Sequence, residues 1–164
     1  MKIDFRDIDP IKLSEKTKND LKNRFALVFS GQRRLARNVL REETNRLIRN
    51  DPAALSAANR IRQLCALMKF ELERNNISGF ARFVTEQFEL VKLLDDGASN
   101  ACIEYIFEVC DDLTDGKSIC GAGGGGFLQI ILKEGVTKDE LKDRLNKTFS
   151  DSGGVQVWES ELII

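Results

Sequence analysis

The sequence predicts a single α+β domain, in which an antiparallel sheet carries helices on one side. Two observations lead there. Short apolar runs of strand length gather toward the two ends of the chain, at Phe25-Ala-Leu-Val-Phe29, Phe127-Leu-Gln-Ile-Ile-Leu132 and Val155-Gln-Val-Trp-Glu159. The long middle instead carries apolar residues at three-four spacing, divided by capping signals into about four helices. At 164 residues the chain is long enough to bury one real core, so 1–164 is read as one domain.

Taken in order, Ile3-Asp-Phe-Arg6 alternates like a short strand and Asp9-Pro10 breaks it. A chain that begins almost inside a strand is expected to be cut from something longer. Ser14 can cap a short helix reaching Lys22, anchored by Leu21. The strand at 25–29 follows and Ser30-Gly31 ends it. A helix from about Gln32 to Asn50 places Leu35, Val39, Leu40, Leu47 and Ile48 on one side. Most of its arginines form a solvated face, but Arg34 and Arg37 stand in the first turns after the strand–Gly turn. Asp51-Pro52 starts the next helix, with Ala54, Ala58, Ile61, Cys65, Met68 and Leu72 as its apolar face, and Asn75-Asn76 stops it.

Ser78 is expected to cap a third helix, whose stripe of Phe80, Phe83, Val84, Phe88, Val91 and Leu94 is read as core rather than a ligand box. Ser99 opens a fourth with Cys102, Ile106, Val109, Cys110 and Leu113. Thr114-Asp-Gly116 reads as a turn before the strand around Ser118-Ile-Cys120. After the strand at 127–132, Thr137-x-x-Glu140 is a capping box for a helix carrying Leu141, Leu145 and Phe149. Ser152-Gly-Gly154 turns the chain into the last strand.

Composition closes several functional classes. A net charge of −1 gives no reason to expect a nucleic-acid partner. There is no histidine, which removes His-based triads and His metal sites from this chain. Four cysteines without C-x-x-C spacing read as buried free thiols of a reducing cytosol, so a cytoplasmic location is expected and a metal site is not. No apolar run reaches membrane-spanning length.

The chemistry points to Gly121-Ala-Gly-Gly-Gly-Gly126. Glycine visits positive φ without steric cost and lets a ligand approach the main chain, and successive N–H groups in such a turn can converge on an anion. A flexible linker or a purely structural tight turn are the plainer readings. The letters fit G-x-G-x-x-G, but a dinucleotide site needs a helix after the glycines and here a strand follows. A P-loop would place Lys-Ser or Lys-Thr after the last glycine, where this chain has Phe127-Leu128.

Strand, glycine loop, strand resembles the third signature motif of the GHMP kinases (galactokinase, homoserine, mevalonate and phosphomevalonate kinases), with Lys117 and Gly121-Ala-Gly-Gly-Gly-Gly126 on its Lys-x-x-x-Gly-Ala-Gly-Gly-Gly-Gly. Upstream, Leu27-Val-Phe-Ser-Gly-Gln-Arg-Arg-Leu-Ala-Arg-Asn-Val-Leu40 is similar to the corresponding stretch of L-fucokinases and, more loosely, of heptose-phosphate kinases. The resemblance implies a ferredoxin-like sheet with the helices inserted into it. It implies that Gly121, Ala122, Gly123, Gly124, Gly125, Gly126, Ser30, Gly31, Arg34 and Lys117 face a cleft holding the sugar and the transferred phosphoryl group. It also implies that ATP, Mg²⁺ and the catalytic acid are bound mainly by an N-terminal kinase domain absent from this sequence. The activity implied is phosphorylation of L-fucose or a related sugar at the anomeric hydroxyl; the alternatives are a heptose-phosphate kinase domain, a non-catalytic regulatory module that binds a phosphosugar or nucleotide, and a helical interaction domain whose glycine loop is only a turn. One stretch departs from the fucokinase pattern: Phe88-Glu-Leu-Val-Lys92 and Asp96-Gly-Ala-Ser-Asn100 keep Glu89, Lys92 and Gly97 but lose a Gln, a Lys and a later acidic residue.

Overall fold

A computed structural model describes residues 10–32, 48–121, 123–150, 154–160 and 162. The expectations for the strand at 3–6, the body of the helix at 32–50 and the turn at 152–154 fall wholly or mostly outside them. The described chain runs α1 (Glu15–Arg24), β1 (Phe25–Ser30), α2 (Pro52–Glu73), α3 (Ile77–Leu94), α4 (Ala101–Val109), a short 3₁₀ turn (Asp111–Leu113), β2 (Thr114–Ile119), β3 (Phe127–Leu132), α5 (Lys138–Phe149) and β4 (Val155–Trp158). The strands form one sheet in the order β2-β3-β1-β4, every pair antiparallel. This is the ferredoxin-like arrangement, with α2, α3 and α4 standing between its first two strands.

Local chemistry accounts for most element ends. The Ser14 hydroxyl accepts from Thr17 N–H at 3.1 Å, and Asp51 accepts from Ala53 and Ala54 N–H ahead of Pro52. Thr137 and Glu140 close a reciprocal capping box on α5. Two caps differ from expectation. Asn76, not Ser78, caps α3 by accepting from Gly79 N–H at 3.0 Å, and Asn100, not Ser99, caps α4 by accepting from Cys102 and Ile103. Residues 114–116 are likewise no turn but the start of β2, with a register shift between Thr114 and Gly116.

That irregularity has a use, since a bulge re-aims a side chain. The Asp115 carboxylate accepts from Arg24 Nη2 at 2.6 Å and from the Ser78 hydroxyl at 2.5 Å, while Arg24 Nε donates to the Leu132 carbonyl at 2.6 Å. Ser78 therefore joins a buried ion pair that fastens the end of α1 and the start of α3 to the sheet.

The main core lies on one sheet face. Ala26, Val28, Leu128, Ile130, Leu132 and Val155 meet Ile103, Ile106 and Phe107 of α4 and Leu141 and Leu145 of α5. Arg144 latches α5 to the 3₁₀ turn with two bonds to Asp112, 2.7 and 2.9 Å, and these hold the Asp112 carboxyl below its ordinary pKa. The helices are not confined to that face. α3 lies along β2, where the Thr85 hydroxyl accepts the Lys117 N–H at 2.9 Å, so the edge strand is covered by a helix. Its Ile77, Ala81 and Val84 reach Ile131, whose side chain points opposite to that of Ile130, and Leu21 of α1 joins them. α2 packs outermost, through Ala54 and Ala57 on Leu94.

The face of α2 is rotated from the expected one. Leu64 is fully buried and Cys65 is exposed, because the row 54-57-61-64 rather than 54-58-61-65 meets α3. The four thiols are unpaired but only Cys110 is buried, and burial pushes its pKa up to about 12. Cys102 is half-buried and Cys120 exposed, contrary to the reading of all four as interior. Among the described residues no helix is long and apolar enough to cross a membrane.

The approach of α3 to β2 leaves no room for a side chain at Gly116, where a Cβ would stand 2.4 Å from the Ala81 carbonyl oxygen and 2.7 Å from its Cα. Both obstacles are main chain and cannot rotate away. Gly116→Ala is therefore expected to lower stability by about 1–3 kcal/mol, read as a lower urea midpoint at unchanged slope. An unchanged midpoint would mean that α3 lifts from the strand at no cost.

Candidate functional site

Antiparallel pairing of β1 with β3 ends at Phe29 opposite Phe127, which brings the exit of β1 beside the exit of the glycine loop. Ser30 N–H donates to the Gly126 carbonyl at 2.9 Å, and Gly126 N–H donates to the Gln32 carbonyl at 2.9 Å. Gly31 has φ +76 and lies so close to Gly154 that a Cβ on it would be 3.0 Å from that residue's Cα. The loop itself is held by positive φ throughout its described glycines: +84 at Gly121, +81 at Gly123, +71 at Gly124, +154 at Gly125 and +82 at Gly126. Residues with a Cβ rarely adopt these angles, so the run of glycines is required by backbone conformation.

The loop is seated rather than loose. Gly124 N–H donates to the Ala98 carbonyl at 2.9 Å, and Asn100 Nδ2 donates to the Gly124 carbonyl at 3.1 Å. Gly124 and Gly125 are buried, Gly123 and Gly126 half-buried, and Gly121 exposed. Two of the loop amides are thus turned into the protein. Among the described residues, the N–H groups of Gly121, Gly123 and Gly125 meet no protein acceptor.

Of the residues expected at the site, the structure brings together Ser30, Gly31 and the glycines of 121–126. The Ser30 hydroxyl is turned inward and accepts from Gln32 N–H at 3.4 Å. A cavity of about 190 Å³ opens beside it, lined by Gly31, Gln32, Cys102, Phe149 and Val155 among others. Lys117 is not part of this group. It pairs with Ile130 in the sheet, and its ammonium lies 2.7 Å from Asp111 and 5.8 Å from the centre of the Phe107 ring. Arg34 and Ala122 lie outside the described residues. Lys92, kept from the fucokinase pattern, forms ion pairs with Glu89 and Glu104 on the outer surface.

Two curated proteins match the sequence. The bifunctional fucokinase/GDP-fucose pyrophosphorylase of Arabidopsis thaliana is 30% identical over 138 residues, which is 84% of this chain and 13% of that protein. The L-fucokinase/L-fucose-1-P guanylyltransferase of Bacteroides fragilis is 28% identical over 118 residues, 72% of this chain and 12% of its own length. Among solved structures, the mevalonate kinase of Methanococcus jannaschii aligns with a TM-score of 0.68 over 93% of this chain and 44% of the kinase chain, at 21% identity, a likeness of fold. These matches relate the chain by sequence to a stretch of two bifunctional fucokinase proteins, and its fold is the one seen in the GHMP kinases. No protein-family model matches it, and it spans only about an eighth of the fucokinase relatives.

The residues that seat the loop were not expected from the sequence. Ala98, Asn100 and Gln32 act through two carbonyls and one amide side chain. Two cap candidates, Ser99 and Asn100, stand side by side, and only the tertiary contact with Gly124 separates them. The seat also distinguishes the glycines. A Cβ on Gly123 would lie 2.5 Å from the Ala98 carbonyl oxygen, whereas one on Gly121 would meet nothing within 4 Å. Gly121→Ala is therefore expected to cost about 1 kcal/mol, for backbone strain alone. Gly123→Ala should cost more, by a further 1 kcal/mol or above, because the Ala98 main chain must move. Thermal melts of the two variants check this, and equal losses would contradict the close seat.

Proposed function

We propose that this domain is the substrate-side, C-terminal half of a cytoplasmic ATP-dependent sugar kinase that phosphorylates L-fucose, or a related sugar, at the anomeric hydroxyl. The observation that carries the reading is the glycine loop: amides at 124 and 126 fix it to the protein, and those at 121, 123 and 125 meet no acceptor among the described residues. Phosphoryl transfer is mostly positioning and stabilisation of a charge-rich transition state, for which oriented main-chain N–H groups suit the phosphate oxygens. The names of the two curated relatives supply the sugar, and the altered stretch at 96–100 is why a related sugar is kept beside fucose.

The chain's own part is to hold that loop, with Gly31 beside it, and to offer Arg34 to phosphate or sugar oxygens. Nucleotide, Mg²⁺ and the catalytic acid are assigned to an N-terminal kinase domain of the same polypeptide.

Chain 1–164 alone is expected to transfer no phosphate from ATP to any sugar, while a longer polypeptide carrying it behind its kinase domain should convert L-fucose. In that polypeptide Arg34→Ala should lower kcat/KM by on the order of 10²-fold with an unchanged melting temperature. Turnover by pure 1–164, or failure of the longer polypeptide with L-fucose and related sugars, would overturn the reading.

A further inference from the structure

Asn100 uses both ends of its side-chain amide. Oδ1 accepts from Cys102 N–H at 3.0 Å and from Ile103 N–H at 3.1 Å, which closes the first turn of α4. Nδ2 donates to the Gly124 carbonyl at 3.1 Å and to Gln32 Oε1 at 3.0 Å. The side-chain amide is planar, so anchoring its oxygen on the helix fixes where its two N–H groups point. Gln32 closes the arrangement, because its main-chain carbonyl receives the Gly126 N–H.

The consequence follows from the geometry of the peptide unit. The Gly124 carbonyl and the Gly125 N–H belong to one peptide plane, and in a trans peptide they point in opposite directions. No peptide bond of the described chain is cis. When Asn100 draws the Gly124 carbonyl toward α4, it turns the Gly125 N–H away from α4. That N–H meets no protein acceptor among the described residues, although Gly125 is buried. A main-chain donor left without a protein acceptor is one that a bound anion can satisfy.

We propose that Asn100 is a positioning residue, whose helix-anchored amide sets the 124–125 peptide so that the Gly125 N–H is presented to a phosphate oxygen. This deepens the kinase reading and rests on it for the identity of the phosphate as the transferred group. Asn100→Ser separates capping from positioning, since serine caps about as well as asparagine but is too short to reach Gly124. Asn100→Asp keeps both acceptor bonds to α4 and replaces the Nδ2 donor by an oxygen that repels the Gly124 carbonyl.

The test follows the Gly125 amide of chain 1–164 by NMR during titration with inorganic phosphate. In the wild type the Gly125 resonance should move with phosphate. In Asn100→Ser the apparent affinity should fall about tenfold, the loss of one well-aimed donor, while the Cys102 and Ile103 amides keep their exchange protection. Asn100→Asp should behave alike and show faster exchange at Gly124. No response of wild-type Gly125, or an equal response in Asn100→Ser, would overturn the proposal. The titration needs no turnover, so a longer polypeptide that phosphorylates no sugar would remove the kinase reading while leaving this result to stand or fall by itself.

Discussion

Among the described residues, main chain packs on main chain too closely to admit a Cβ (3.0 Å or less) at three places, and the layers depend on those contacts. Gly116 lies against Ala81, Gly123 against Ala98, and Gly31 against Gly154. The first sets how close α3 sits to the sheet edge, the second seats the loop on the α3–α4 turn, and the third joins the exit of β1 to the entrance of β4. Packing of this kind has almost no give, because a backbone atom cannot rotate out of the way as a side chain can. Placement of the loop thus follows from the placement of α3, which in turn follows from a glycine in β2.

Around this frame the apolar residues divide the work unevenly. α4 and α5 supply the interior that the sheet needs, while α3 links that interior through Phe88 with the cluster around Ile131 on the reverse face. The largely buried Arg24–Asp115 pair ties the same helix at its beginning, and the bonds of Arg24 to the Leu132 carbonyl and the Ser78 hydroxyl offset part of the cost of removing the charges from water. α3 is therefore held at its start by charge, in its middle by backbone contact and near its end by aromatic packing of Phe88 on Phe107.

Much of this was legible in the sequence because it is local. The strand at 127–132, the caps at Ser14 and Asp51 and the box at Thr137 and Glu140 each rest on a few neighbouring residues. The family motif was legible for a related reason, since five glycines at positive φ leave a compositional mark. What escaped was tertiary. Ser78 looks like a cap until Arg24 and Asp115 are seen around it, and residues 114–116 look like a turn until β3 is placed alongside. Lys117 follows the family motif in sequence, yet its ammonium is committed to Asp111. At α2 the two candidate faces differ by one residue, and only the position of α3 decides for Leu64 over Cys65.

Among the described residues the loop holds its shape with neutral groups. Its contacts are with the carbonyls of Ala98 and Gln32, the Ser30 N–H and the amide of Asn100, and the donors left at Gly121, Gly123 and Gly125 are peptide N–H groups. None of these gains or loses a proton at any pH the fold survives. The loop's own shape is therefore indifferent to acidity and has no formal charge for salt to screen. Any pH or ionic-strength dependence of ligand binding at the loop would have to originate in the ligand itself or in the side chains around it.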